Sequence, residues 1–148
     1  MTEMLPLPII LIAEDEDDEA FLLERALKKA AIGNPVRRVK NGDEVIAYLT
    51  GSGPYGDRAQ FPPPVIVFLD LNMPKRSGFE VLEWIRQQPA LHTLSVDVFS
   101  GSGRQEDIDR ALRLGANLYL KKPITTNELN DLLQAYRQLI ACRGFSQP

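Results

Sequence analysis

Residues 65–74, VIVFLDLNMP, carry an uninterrupted apolar run that leads directly into an aspartate. Such a run is typical of a strand that is buried on both faces of a parallel sheet. The run ends at Asp70, whose carboxylate an apolar interior does not accept without a partner. Pro74 lacks a backbone donor and therefore ends the strand pairing. Asp70 either opens a turn or lies at the sheet edge where parallel sheets bind ligands, and this stretch alone leaves both alternatives open.

The composition is typical of one globular domain in the cytoplasm. The chain has 148 residues, 44% hydrophobic and 25% charged, which is enough for one buried core. Its net charge of −3 argues against a nucleic-acid partner. The apolar N-terminal segment has no basic flank and is too short for a membrane span or a signal peptide. The one cysteine, Cys142, excludes an internal disulfide and fits a reducing compartment.

Four further segments have the composition of strands, and helical patterns separate them. The strands are predicted at 8–13, 35–39, 96–99 and 118–120. The predicted inward positions of the five helices are Ala20, Leu23, Ala26 and Leu27; Val45, Ile46 and Leu49; Val81, Leu82 and Ile85; Ile108, Ala111 and Leu112; and Leu129, Leu132, Leu133, Tyr136, Leu139 and Ile140. The alternation predicts an α/β domain of parallel strands joined by right-handed crossovers.

Several local signals predict where these elements begin and end. Asp17 or Asp18 is expected to cap the first helix, and Gly33 to end it. Asn41-Gly42 is expected to form a turn, and 51–64, rich in proline and glycine, a loop. A capping box opens the last helix at residues 125–128.

Acidic residues follow two of the predicted strands. Glu14 and Asp15 follow the first strand and Asp70 ends the third, so all three are expected at one sheet edge. Adjacent carboxylates repel each other, which raises their pKa unless a cation joins them. Asp15, Asp70 and a backbone carbonyl near Asn72 form the oxygen set that suits Mg²⁺.

Ser100 and Lys122 follow the fourth and fifth strands and are expected at the same edge. Both are donors for an anion beside the metal. A carboxylate nucleophile, a metal and a lysine together indicate acyl-phosphate chemistry at Asp70.

The order of these residues resembles the receiver domain of two-component response regulators. The matching pieces are Glu14-Asp15, FLDLNMP with Gly78 after it, Ser100, and Lys122-Pro123. The resemblance covers about residues 8–140 and implies a single receiver domain over 1–148, with no effector domain. It implies a flavodoxin-like, doubly wound sheet of five parallel strands in the order 2-1-3-4-5, flanked by five helices. The proline-rich loop 51–64 and the sequence LDLNMPKRSG resemble those of small receivers paired with phytochrome-type kinases.

The resemblance also implies a role for each site residue. Asp70 accepts phosphate from a sensor histidine kinase. Mg²⁺ is held by Asp15, Asp70 and the backbone carbonyl of Asn72, with Glu14 acting through water. Ser100 and Lys122 contact the phosphoryl group, and the Lys122–Pro123 peptide is cis.

Output is implied to pass through Ser100 and Tyr119. Tyr119 has the position of the aromatic switch residue of the family. Both residues are expected to couple phosphate to a face made by the fourth helix, fifth strand and fifth helix. That face engages a downstream protein, a phosphotransfer partner or a second copy in a homodimer.

Two features of the sequence, Asp97 and Asn72, bear on alternative functions. Asp97 lies inside the predicted fourth strand, where it needs a donor or an exit to solvent; we expect a nearby donor rather than a second phosphate site. An aspartate-nucleophile phosphohydrolase uses similar groups, but that family has a second aspartate two residues after the nucleophile, where this chain has Asn72. We therefore expect a phosphoacceptor switch and not an enzyme.

Overall fold

The computed structural model of the protein describes residues 7–30 and 33–137. These residues form five strands: β1 Ile9–Ala13, β2 Val36–Val39, β3 Pro64–Asp70, β4 Ser95–Ser100 and β5 Leu118–Lys121. They also form five α-helices: α1 Asp17–Lys29, α2 Gly42–Thr50, α3 Gly78–Arg86, α4 Gln105–Arg113 and α5 Thr126–Ala135. Leu139, Ile140 and Cys142 lie outside the described residues, as does the end of the predicted core.

The strands form one parallel sheet in the order β2-β1-β3-β4-β5, which confirms the predicted topology. The apolar run of β3 lies at the centre, between β1 and β4. One face of the sheet packs against α2, α3 and α4, and the other against α1 and α5. Within the described residues, no helix is long and apolar enough to cross a membrane.

The predicted inward faces are confirmed for α1 and α3 and are wrong in part for α2 and α4. In α2 the ring of Tyr48 is fully buried, whereas Ile46 is only half-buried. In α4 the side chain of Leu112 is 46% exposed, and Ala111 is the residue that is buried. Leu114 packs against the core instead, because it lies three residues after Ala111 and thus on the same side of the helical path.

Both predicted boundaries of α1 differ in the structure. Neither Asp17 nor Asp18 caps α1, whose N-cap is Glu16 without a side-chain bond; Asp17 pairs instead with Arg38 at 2.8 Å. The same helix ends at Lys29, before the glycine that was expected to end it.

The expected turn at Asn41-Gly42 is the start of α2. The Asn41 side chain caps the helix by accepting a hydrogen bond from the backbone N–H of Glu44 at 2.8 Å. The capping box at Thr125 and Glu128 is confirmed, and Ser77 with Glu80 forms a second one at α3.

The loop between α2 and β3 is anchored to the fold by its own side chains. Arg58 donates hydrogen bonds to the carbonyls of Tyr48 at 2.7 Å and Leu49 at 3.3 Å, and thus satisfies acceptors at the end of α2. The rings of Tyr55 and Phe61 meet that of Tyr48 at centroid distances of 5.1 and 6.1 Å. A single 3₁₀ turn, Gly53–Tyr55, lies within the loop.

Asp97 is completely buried within β4, and every residue of this strand is buried. The hydroxyl of Tyr136 donates a hydrogen bond to Asp97 Oδ1 at 3.1 Å. The other carboxylate oxygen has no partner among the described residues. Burial raises the pKa of Asp97 to about 6, although the bond from Tyr136 lowers it in part. The expected nearby donor therefore exists, and it comes from the chain segment that ends α5.

Candidate functional site

The three predicted carboxylates lie together at the carboxyl edge of the sheet. Glu14 and Asp15 follow β1, Asp70 ends β3, and these strands are neighbours with Ala13 opposite Leu69. One oxygen from each carboxylate lies within 4.8 Å of the others. Glu14 is 0% and Asp70 is 4% exposed, whereas Asp15 is half-buried. The predicted acidic cluster is thus confirmed.

Lys122 places its ammonium between two of these carboxylates. Its Nζ donates a short hydrogen bond to Glu14 Oε1 and lies 3.7 Å from Asp70 Oδ1. The backbone N–H of Lys122 bonds to the carbonyl of Ser100 at 2.8 Å, so the end of β4 fixes the residue. The peptide between Lys122 and Pro123 is cis, as predicted. Glu19 of α1, which sequence reasoning missed, lies 4.0 Å from the same ammonium.

Burial and neighbouring charges shift the pKa values of Glu14, Asp70 and Lys122. Burial, followed by the charge of Glu14, raises the pKa of Asp70 to about 7, and Lys122 only partly opposes this. Burial also acts to raise the pKa of Glu14, but the bonds from Lys122 and from the Glu16 N–H hold it below its usual value. Burial acts to lower the pKa of Lys122, yet the carboxylates of Glu14, Asp70 and Glu19 raise it above its usual value.

These shifts leave one ammonium among three carboxylates. Lys122 is fully charged and Glu14 is its closest partner, whereas Asp70 lacks a full counter-charge. A divalent cation with oxygen ligands fits this set, because it would favour the charged form of Asp70.

The loop from β3 to α3 starts beside Asp70 and is held close to it. The backbone N–H of Asn72 donates to Asp70 Oδ1 at 3.3 Å, and the N–H of Gly78 donates to the carbonyl of Leu71 at 2.9 Å. A Cβ at Gly78 would lie 2.5 Å from the carbonyl oxygen of Asp70, so this position accepts only glycine. The sequence motif that resembles the receiver family includes this glycine. The close packing explains why a glycine is required at that position.

No side-chain hydrogen bond joins Ser100 directly to Tyr119. Each of the two residues instead forms a hydrogen bond with the backbone of Ser102. Ser100 is completely buried, and its Oγ accepts a hydrogen bond from the N–H of Ser102 at 3.2 Å. The hydroxyl of the half-buried Tyr119 donates to the carbonyl of Ser102 at 2.8 Å. The Ser102 hydroxyl itself donates to Asp107 of α4 at 2.6 Å. Sequence reasoning missed Ser102, because its bond to Asp107 does not have the spacing of a capping box.

The structure therefore brings together most of the predicted site. Glu14, Asp15, Asp70 and Lys122 form one cluster. Asn72 adjoins this cluster through its backbone, and Ser100 ends the neighbouring strand. Together these groups offer a nucleophilic carboxylate, an oxygen-rich cation site and a cation for an anionic ligand.

The chain is similar to known proteins in both sequence and fold. The family described as the response regulator receiver domain matches residues 10–134. The response regulator Rcp1 of Synechocystis is 32% identical over 132 residues, which are 89% of this chain and 88% of Rcp1. The crystal structure of the Mn(2+)-bound form of Rcp1 has a TM-score of 0.74 at 29% identity and covers 95% of this chain and 99% of Rcp1.

Two further response regulators of solved structure are similar. RPA3017, described in red light signaling of R. palustris, has a TM-score of 0.79 at 32% identity, over 89% of this chain and 93% of that one. Phosphorylated RcpA, a cyanobacterial phytochrome response regulator, has a TM-score of 0.75 at 30% identity, over 90% and 93%. From its matched length, its fold and its acidic cluster, the chain belongs to the response regulator receiver domain family.

Proposed function

We propose that Asp70 accepts a phosphoryl group from a sensor histidine kinase and that the protein acts as a phosphorylation switch. The observation that carries this proposal is the buried Asp70 carboxylate with the Lys122 ammonium 3.7 Å away, beside two further acids. An Asp70 oxygen attacks phosphorus as the N–P bond of a phosphohistidine breaks, and the bonding pair leaves with the imidazole.

Glu14, Asp15, Asp70 and the backbone carbonyl of Asn72 would hold Mg²⁺. Bound there, the ion supplies positive charge to the oxygens of the transferring phosphoryl group. A crystal structure of Rcp1 in a Mn(2+)-bound form supports a divalent cation in this family. The half-buried Asp15 is the acid with the most access to solvent, which suits a ligand of a hydrated ion.

The other polar residues act on the acquired phosphoryl group. The Lys122 ammonium turns from Asp70 to a phosphoryl oxygen and keeps its bond to Glu14. The Ser100 hydroxyl donates to a second oxygen while its lone pair still accepts from the Ser102 N–H. Movement of Ser100 thereby reaches Ser102, the hydrogen-bond acceptor of Tyr119.

The proposed output face consists of α4, β5 and α5. It engages a downstream protein, a phosphotransfer partner or a second copy of the chain, in the cytoplasm. The kinase is proposed to be of the phytochrome type, which is supported by the similarity to RcpA, a phytochrome response regulator, and to RPA3017, a response regulator in red light signaling. Asn72 at the position of the second acid of aspartate-nucleophile phosphohydrolases, together with family membership, argues against that enzyme.

Labelling with radioactive acetyl phosphate tests the proposal. We expect the wild-type protein to be labelled with MgCl₂ and not with excess EDTA, and Asp70→Asn not to be labelled. Asp131→Asn is the matched control, because Asp131 is an exposed aspartate on α5. No labelling of the wild-type protein, or undiminished labelling of Asp70→Asn, would contradict the proposal. Purified phytochrome-type kinases then test the partner.

A further inference from the structure

The first residue of α2 lies against the loop that follows the Asp70 strand. A Cβ at Gly42 would be 2.5 Å from both the carbonyl oxygen and the Cβ of Arg76. Gly42 is not among the glycines with positive φ, so space and not backbone conformation requires glycine here. α2 and the β3–α3 loop therefore approach each other as closely as a glycine allows.

Two polar contacts join the same segments. The N–H of Gly42 points to the carbonyl of Pro74 with an N···O distance of 3.5 Å, and Arg76 Nε donates to Asp43 Oδ1 at 2.7 Å. Within the loop, the N–H of Arg76 bonds to the Pro74 carbonyl at 2.8 Å across Lys75, which has a φ of 71°. This is a γ-turn, an uncommon conformation for a lysine. The start of α2 therefore contacts both ends of the γ-turn, Pro74 and Arg76.

The loop is also fixed at the side of β3 and α3. Gly78 packs on the Asp70 carbonyl, and its N–H donates a hydrogen bond to the carbonyl of Leu71. The two ends of the loop, residues 71 and 78, are therefore held together. Asn72 lies between this base and the turn at Lys75. The position of the Asn72 backbone is thus set by one anchor at Gly78 and a second anchor on α2.

We propose that Gly42 and Asp43 are positioning residues of the Asp70 site, which hold the β3–α3 loop so that the Asn72 carbonyl and the Asp70 carboxylate share one cation. This inference rests on the proposed function. Neither residue is among the acids of the cluster, so both act through Pro74 and Arg76. Of the two, Gly42 has the larger effect, because the ion pair of Asp43 is exposed and such pairs stabilise weakly.

A methyl group at Gly42 displaces the loop backbone. The 2.5 Å approach must lengthen to at least 3.4 Å to become an ordinary contact, and the atom in the way is a backbone carbonyl oxygen rather than a flexible tip. Because residues that hold ligands in place typically contribute 10–100-fold to metal affinity, we expect Gly42→Ala to weaken Mn²⁺ and Mg²⁺ binding about ten-fold or more.

Titration calorimetry with Mn²⁺ and Mg²⁺ on the full chain tests this expectation, with urea unfolding alongside. Gly56→Ala is the matched control, since a Cβ there meets its nearest atom at 3.5 Å. We expect its affinity to equal that of the wild-type protein. Hydrogen exchange provides a second readout: the amides of Arg76 and Gly78, which are bonded within the loop, exchange faster in Gly42→Ala. A folded Gly42→Ala with wild-type metal affinity would overturn the inference.

A double-mutant cycle keeps the inference testable if Gly42→Ala does not fold. We expect Asp43→Ala and Arg76→Ala each to weaken Mn²⁺ binding, and the double variant to bind no more weakly than either single variant, because one bond is lost in all three. Wild-type affinity in both single variants overturns the role of Asp43. If the wild-type protein itself binds no divalent cation, the proposed function fails; if only the variants behave as wild type, this inference alone fails.

Discussion

Asp97 is a buried acid with one hydrogen bond, and its ionisation sets a pH dependence. Its pKa is about 6 in the folded protein against 3.8 as the usual value, so folding favours the protonated form. Its contribution to stability is therefore complete below pH 3.8 and is lost as the pH rises through about 6. At one pKa unit per 1.36 kcal/mol, this change amounts to about 3 kcal/mol.

We expect Asp97→Asn to remove this pH dependence, because the amide stays neutral and its carbonyl still accepts from Tyr136. The measurement is the free energy of unfolding in urea at several pH values between 4 and 7, as the difference between variant and wild type. Asp131→Asn, an exposed change, is the control. Parallel curves for Asp97→Asn and the wild-type protein would show that Asp97 titrates normally.

The sequence identifies Asp97 as unusual but does not identify its partner. Tyr136 comes 39 residues later, and the pairing depends on where α5 packs on the sheet. By contrast, Ser77 and Thr125 are recognisable from the sequence alone, because each bonds to a residue three positions away. At the scale of one residue, local partners are predictable and partners brought by packing are not.

At the scale of elements, Ser102 organises the segment between β4 and α4. Its hydroxyl donates to Asp107 at 2.6 Å and accepts from the N–H of Arg104 at 3.2 Å. We expect Ser102→Ala to lower the free energy of unfolding by about 1 kcal/mol, since an intramolecular hydrogen bond contributes about that much to stability. Urea unfolding measures the loss.

The matched control for this change is Thr93→Ala. Thr93 is exposed, and its side chain makes no hydrogen bond within residues 7–30 and 33–137. We expect its unfolding free energy to stay within about 0.5 kcal/mol of wild type. Equal stabilities for Ser102→Ala and Thr93→Ala would mean that the bonds of Ser102 contribute nothing to the folded state.

Elements were predictable in number and type, but not in every buried face. Each strand and helix was found because apolar spacing repeats over several residues. The prediction that Leu112 faces inward is wrong because Ala111 is the residue of α4 that is buried. The spacing of apolar residues identifies an apolar side of the helix, but not which residues of that side contact the sheet. Tyr48 was missed because the loop residues Tyr55 and Phe61 complete its environment.

At the scale of the whole molecule, exposed leucines support the proposed contact between two copies. Leu112 is 46% and Leu118 is 40% exposed, on α4 and on the edge strand β5 of the proposed output face. We expect sedimentation velocity to show a larger species with rising concentration, and Leu112→Glu with Leu118→Glu to abolish it. Burying these side chains against a second copy removes apolar surface from water, and a glutamate prevents it.

Leu22→Glu is the matched control for self-association. Leu22 is 52% exposed on α1, which is not one of the three elements of the proposed output face. We expect this variant to associate like the wild-type protein. A monomer at every concentration, with and without acetyl phosphate, would rule out the homodimer.

The convergence of the site was predictable because it is a property of the sheet. Parallel strands place all their carboxyl ends at one edge, so the residues after β1, β3 and β5 meet whatever their separation along the chain. The distances within the site were not predictable. Whether Lys122 prefers Glu14 or Asp70 depends on the side-chain packing around both acids.

The pairing of Lys122 with Glu14 spans 108 residues of sequence. A ribosome makes the acids of β1 and β3 first and the lysine only near the end of the chain. A nascent chain that has reached β4 therefore holds the three acids of the cluster before their ammonium partner has been made. The ion pair between Glu14 and Lys122 can therefore form only after translation has passed Lys122.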